Sequence, residues 1–97
     1  VAKIQVYGAS WCPLTLGLSK YLRENALPFE LLDVERDPQA EAADRRMNGG
    51  ALKFPMVVIG RLEGYWQPGD DAAVLKNPRL AELREALEHY GLGGAVK

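Results

Sequence analysis

The chain of 97 residues holds one cysteine, Cys12, and one histidine, His89. A lone cysteine excludes an internal disulfide, so the fold must stand on its core and an oxidising compartment is not required. No cluster of cysteine, histidine and carboxylates has metal-site spacing. No run approaches the roughly 18 apolar residues of a membrane span. The opening residues VAKIQVYGAS lack the apolar core of a secretion signal. Charge of one sign is missing too: the formal net charge is -1. That argues against a nucleic-acid partner, whose binder normally shows a basic patch. There is no internal repeat and no low-complexity segment. These absences predict one domain over residues 1–97, monomeric, with no membrane partner, in a reducing cytoplasm. What is present supports this: 47% of the residues are hydrophobic, enough for a packed core.

Ile4 and Val6 alternate with Lys3, Gln5 and Tyr7, a period-2 strand signal that ends at Gly8. A helix opens at Pro13, a residue with no N–H to leave unpaired in a first turn. Leu14, Leu18, Tyr21 and Leu22 form its apolar face and Asn25 its stop. The run 28-PFELLDV-34 reads as a second strand. Asp37-Pro38 repeats the cap-then-proline grammar and starts a second helix, with Ala40, Ala43 and Met47 as a thin apolar face. The run 56-MVVI-59 is apolar throughout, as in a strand covered on both sides. Gly60-Arg61 reads as a hairpin turn leading to a fourth strand near Leu62–Trp66. Asp70 or Asp71 reads as the cap of a short helical segment, 72-AAVL-75, and Asn77-Pro78 as the cap of the last helix. The tail, 91-GLGGAVK-97, is expected to fray. The order β-α-β-α-β-β-α implies an α/β fold. Its first β-α-β is a right-handed parallel crossover and its last two strands an antiparallel hairpin, in a four-stranded mixed sheet with helices on both faces.

The stretch 9-ASWCPLT-15 carries the chemistry. Cys12 falls between the first strand and first helix, at the N-cap. Unpaired N–H groups and the positive end of the helix dipole face its sulfur. Such a setting lowers a thiol from about 8.5 to about 3.5–7.5 and makes thiolate, the attacking species, abundant. The Thr15 hydroxyl, one turn in, can donate to that thiolate, and Pro13 stiffens the helix start. The competing reading is that a lone cysteine serves as a small buried hydrophobe. A cap position between Trp11 and Pro13 favours the reactive reading.

The segments 6-VYGASWCP-13, 33-DVERDP-38, 48-NGG-50, 54-FPMVVIG-60, 69-GDD-71 and 77-NPRLAEL-83 together resemble the glutaredoxin type of the thioredoxin superfamily, and the mycoredoxins among them. The resemblance runs from Ile4 to about Tyr90. It implies a thioredoxin-like fold and a thiol-disulfide oxidoreductase. By resemblance, Cys12 matches the nucleophile of a Cys-x-x-Cys motif, and Pro55 matches a cis proline that faces it. The backbone of Phe54 would bind the thiol peptide, with Trp11 beside it. Gly69, Asp70 and Asp71, taken as following the fourth strand, would hold the far end of glutathione. The chain departs from the pattern at several points. Thr15 stands in place of the second cysteine. Ala9 stands where many members carry a lysine. Lys53-Phe54-Pro55-Met56 replaces Thr-Val-Pro-Thr, and the Gly-Asp-Asp match is one residue short. The small thiol is therefore open between glutathione, mycothiol and bacillithiol, each as co-substrate with no cofactor bound.

Three functions are compatible with these residues. The first is a monothiol oxidoreductase that reduces mixed disulfides between client proteins and a small thiol through Cys12. The second is a redox-inactive thioredoxin-fold binding module, with Tyr65-Trp66 as a docking surface. The third is an iron–sulfur carrier like the Cys-Gly-Phe-Ser monothiol glutaredoxins, from which Pro13 and Leu14 depart. Arg46 is a further candidate for the thiol ligand's carboxylate, and His89 reads as a helix C-terminal residue that favours the dipole.

Overall fold

A computed structural model describes residues 2–92. Seven elements succeed one another along the chain: β1 (Lys3–Gly8), α1 (Pro13–Glu24), β2 (Glu30–Asp33), α2 (Pro38–Met47), β3 (Met56–Arg61), β4 (Asp71–Lys76) and α3 (Leu80–His89). They build a four-stranded sheet in the order β2-β1-β3-β4. The β1–β2 pair is parallel, while β3 runs antiparallel to both β1 and β4. This is the α/β thioredoxin fold. No helix among the described residues is long and apolar enough to cross a membrane.

Strand alternation sends odd and even residues to opposite faces. Ile4, Val6, Val57 and Ile59 meet Leu18 and Leu22 of α1 and Leu83 and Leu87 of α3. Tyr7, Met56 and Val58 meet Ala40 and Ala43 of α2 on the other face. Residues 56–59 are buried at every position because helices cover both sides. Each fully buried leucine of this core contributes about 1.5–3 kcal/mol relative to exposure.

The first half of the chain follows its sequence signals. Cys12 is the N-cap of α1, with Pro13 at the first helical position, and Asn25 is its C-cap. Leu14 is the exception on that face: it is exposed, and the buried positions are Thr15, Leu18, Ser19 and Leu22.

The second half departs from them. The fourth strand is not Leu62–Trp66 but Asp71–Lys76, so 72-AAVL-75 is strand and not helix. Gly60 and Arg61 do not turn; they extend β3 and pair with Ala72 and Asp71. The reason lies in Gly60, where a Cβ would overlap the Asp71 carbonyl and Ala72, so glycine admits the β4 backbone at close approach. The residues between β3 and β4 form a long loop folded back over the α2 face. Gln5 Nε2 donates to the Gly64 carbonyl at 2.9 Å, and the Trp66 N–H donates to the Tyr7 hydroxyl at 2.9 Å. Tyr7 in turn donates to Gln5 Oε1 at 2.7 Å, and burial pushes its pKa up to about 12. The last helix is capped by Arg79 and not by Asn77-Pro78. Of the tail expected to fray, residues 93–97 lie outside the described residues.

Candidate functional site

Register fixes which end of the sheet carries the chemistry. β1 ends at Gly8, just before Cys12; Tyr7 pairs with Met56, which pairs with Lys76. The C-terminal end of β1, the N-terminal end of β3 and the C-terminal end of β4 therefore lie side by side.

The loop from Gly8 to Cys12 is short and internally bonded. The Cys12 N–H donates to the Ala9 carbonyl at 3.1 Å, and Leu16 N–H closes the first helical bond on the Cys12 carbonyl at 3.0 Å. Thr15, in the position of a resolving cysteine, is fully buried. Its hydroxyl accepts from Ala9 N–H at 3.4 Å, and its carbonyl accepts from Ser19 Oγ at 2.9 Å. Its side chain packs directly on Gly8, where a Cβ would overlap it. Glycine at position 8 is thus the condition for burying threonine at position 15.

Cys12 caps α1 in extended backbone geometry, φ -77 and ψ 119, but its sulfur closes no capping hydrogen bond. The helix-start dipoles act on it nonetheless. The Thr15 N–H is the largest influence holding the thiol pKa below its ordinary value; burial opposes it, and the Thr15 hydroxyl and Leu14 N–H add to it. Cys12 is 7% exposed.

Two aromatic rings stand near it. Trp11 is 62% exposed, and its indole N–H donates to Glu35 Oε1 at 2.7 Å. Glu35 is itself held at the end of β2, its N–H donating to Asp33 Oδ1 at 2.9 Å. The Trp11 ring meets Phe54 edge-on with centroids 6.0 Å apart. The Phe54–Pro55 peptide bond is cis. Asn77, with φ 41, donates its N–H to the Pro55 carbonyl at 2.9 Å, which fastens the start of α3 to this segment. Behind it lies the buried Asp44, whose Oδ1 accepts from Lys53 N–H at 3.0 Å and Asn48 Nδ2 at 3.1 Å. Its other oxygen and Asn48 Oδ1 are buried without a partner. Burial raises the Asp44 pKa above the usual carboxylate value, against these hydrogen bonds and the charge of Arg45.

The structure therefore brings Cys12, Pro13, Thr15, Trp11, Phe54 and Pro55 together and does not bring Gly69, Asp70 and Asp71 to them. Asp71 pairs with Arg61 at the opposite end of the sheet, and Asp70 closes its loop by accepting from Gln67 N–H. The strand shift is the cause: these three residues precede the body of β4, and the segment after β4 is 77-NPRL-80. Arg46 points to the same loop, with Nη2 donating to the Trp66 carbonyl at 2.8 Å. Tyr65 and Trp66 are half-buried against the α2 face, and the Tyr65 hydroxyl donates to Asp37. Glu35, Asp44 and Asn77 carry no sequence signal of a site, because each acts through a tertiary contact. Gly8 does carry one, as a glycine directly before the cysteine loop.

A thiol at a helix start and a cis proline at the same end of a β2-β1-β3-β4 sheet define a thioredoxin-fold protein built around one cysteine. Solved structures agree. The thioredoxin-like protein BC3987 superposes with a TM-score of 0.64 at 24% identity, over 88% of this chain and 100% of that one. A glutaredoxin from Archaeoglobus fulgidus superposes at 0.58 and 19% identity, over 90% and 87%. No protein-family model matches. A curated protein of Mycobacterium tuberculosis H37Rv, "Putative glutaredoxin Rv3198A", is 27% identical over 86 residues, 89% of this chain and 90% of its own length. The chain has the thioredoxin fold and is similar to a putative glutaredoxin over most of its length, and the likeness supports a thiol redox role.

Proposed function

We propose that the protein is a monothiol oxidoreductase that reduces mixed disulfides between client proteins and a small thiol in a reducing cytoplasm. The observation that carries this reading is the position of Cys12 at the N-cap of α1, at the sheet end that also holds the cis Phe54–Pro55 bond, with no second cysteine in the chain. The Cys12 thiolate attacks the small-thiol sulfur of the mixed disulfide. That S–S bond breaks, and the client sulfur leaves with the electron pair and takes a proton. Cys12 is then joined to the small thiol. A second small thiol, as thiolate, attacks the sulfur of the bound one and restores Cys12, releasing the small-molecule disulfide. The incoming small thiol is the reductant: its sulfur ends in the released disulfide as the client sulfur ends as a thiol, so no resolving cysteine is needed. Glutathione, mycothiol and bacillithiol are the candidate co-substrates.

The test is intact mass after incubation of reduced protein with each of the three disulfides, and then with the matching free thiol. A single adduct at Cys12 that the free thiol removes supports the cycle and identifies its co-substrate. No adduct with any of them, in folded protein, overturns it in favour of a binding module.

A further inference from the structure

Helix α2 is followed by two glycines of positive φ, Gly49 (φ 63) and Gly50 (φ 103), and residues 51–55 then carry the chain to β3 without regular structure. A buried side chain ties those residues back to the helix. The Asp44 carboxyl, fully buried, accepts from the Lys53 N–H at 3.0 Å on Oδ1. Lys53 directly precedes Phe54, whose bond to Pro55 is cis and whose ring meets that of Trp11, the neighbour of Cys12. Asp44 thus reaches the surroundings of the thiol through the backbone. The same Oδ1 accepts from Asn48 Nδ2 at 3.1 Å, and Nδ2 also donates to the Asp44 carbonyl at 2.9 Å. Both donors of the amide are used on acceptors, which fixes its orientation. Two acceptors are left over, Asp44 Oδ2 and Asn48 Oδ1, each buried without a partner. Leaving buried acceptors unpaired is costly. The neighbouring guanidinium groups bond elsewhere: Arg45 to Glu41 and the Gly50 carbonyl, Arg46 to the Trp66 carbonyl. Burial disfavours the charged form of Asp44. One proton on Oδ2 supplies the donor that the pair lacks.

We infer that Asp44 is a positioning residue for exchange at Cys12: as a neutral acid it donates from Oδ2 to Asn48 Oδ1 while its Oδ1 accepts from Asn48 and Lys53, and this acid–amide pair fixes the cis Phe54–Pro55 segment at the thiol end of the sheet. The inference rests on the thiol-exchange reading above and adds a residue that acts through Lys53 and Phe54, not on the reacting sulfurs. Exchange requires the incoming disulfide to be aligned with the thiolate, and a misplacement of about 1 Å can cost about a hundredfold in rate. Alkylation by a small reagent makes no such demand on the cis segment.

The experiment follows two reactions of Cys12 in the full chain. One is exchange with the disulfide of N-acetylcysteine methylamide, a neutral probe that carries peptide groups. The other is alkylation by iodoacetamide, which asks only for thiolate. Asp44→Asn keeps an acceptor for the Lys53 N–H and gives a donor to Asn48 Oδ1, so both rates should stay within about twofold of the wild type. Asp44→Leu has neither group: exchange should fall about tenfold while the alkylation rate and its pH midpoint hold. Asn48→Ala removes the amide half of the pair and should lower exchange alone by about threefold; it carries the test if Asp44→Leu does not fold. Titration of the Asp44 Cγ chemical shift should give a midpoint above the usual value of about 3.9. Exchange and alkylation that fall together in the folded variants, exchange that does not fall in them, or an Asp44→Asn loss equal to that of Asp44→Leu each overturn the inference and leave the thiol cycle standing. So does an Asp44 midpoint at or below the usual value. Wild-type exchange no faster than that of the denatured chain overturns both.

Discussion

The helices α1 and α2 open with the same grammar, a capping residue and then proline, and use it for different ends. At α2 the Asp37 carboxylate accepts from Gln39 N–H at 3.0 Å and Ala40 N–H at 3.4 Å and from the Tyr65 hydroxyl, so the helix-start donors are spent on a carboxylate. At α1 the Cys12 sulfur closes no such bond. Its donors instead lower a thiol pKa. One start is a structural cap; the other leaves its donors facing a thiol and lowers its pKa.

Cys12→Ser breaks the comparison most severely. Serine is a preferred cap, so disulfide adduct formation should fall to background while the melting midpoint holds or rises. A midpoint that fell with the chemistry would assign Cys12 a packing role. Gly8→Ala comes next. The added methyl overlaps Thr15, and overpacking of this kind costs about 1–3 kcal/mol. Denaturant unfolding should show the loss, and an unchanged midpoint would mean that Thr15 is not held as described.

The carboxyls of α2 sharpen the same contrast through pH. Asp37 has a lowered pKa, chiefly through the Tyr65 hydroxyl. Its stabilisation is present above the unfolded value and lost as pH falls through the folded one. Asp44 has a raised pKa. Its contribution is present below the unfolded value and lost as pH rises through the folded one. Asp44→Asn keeps an acceptor for Lys53 and supplies a donor for the unpartnered Asn48 Oδ1. It should stabilise the protein at neutral pH by about 1 kcal/mol and flatten the pH dependence above the usual carboxylate range. Destabilisation at neutral pH would mean that the charged form is the one the fold requires. Thr15→Val should have the smallest effect: the midpoint of the alkylation pH profile moves up modestly, because the larger contribution from the Thr15 N–H remains.

The site half of the fold is legible in the sequence because its signals are local. A strand ending in glycine, a cap and a proline place Cys12 without reference to anything distant. The other half is not. Ala72–Leu75 is too short and too uniformly apolar for periodicity to separate strand from helix. Its identity comes from pairing with β3, which the missing Cβ of Gly60 permits. The same shift carries Gly69, Asp70 and Asp71 to the far end of the sheet. The position of these residues is thus set by strand pairing, which the local residue pattern does not reveal.

Activation of Cys12 by the start of α1 shows directly in how the thiol ionises. The most direct test is the rate of iodoacetamide alkylation against pH, in the native protein and in the denatured chain. The native midpoint is expected clearly below the denatured one, which should fall near the free-cysteine value of about 8.5. A native midpoint at or above the denatured one would contradict it.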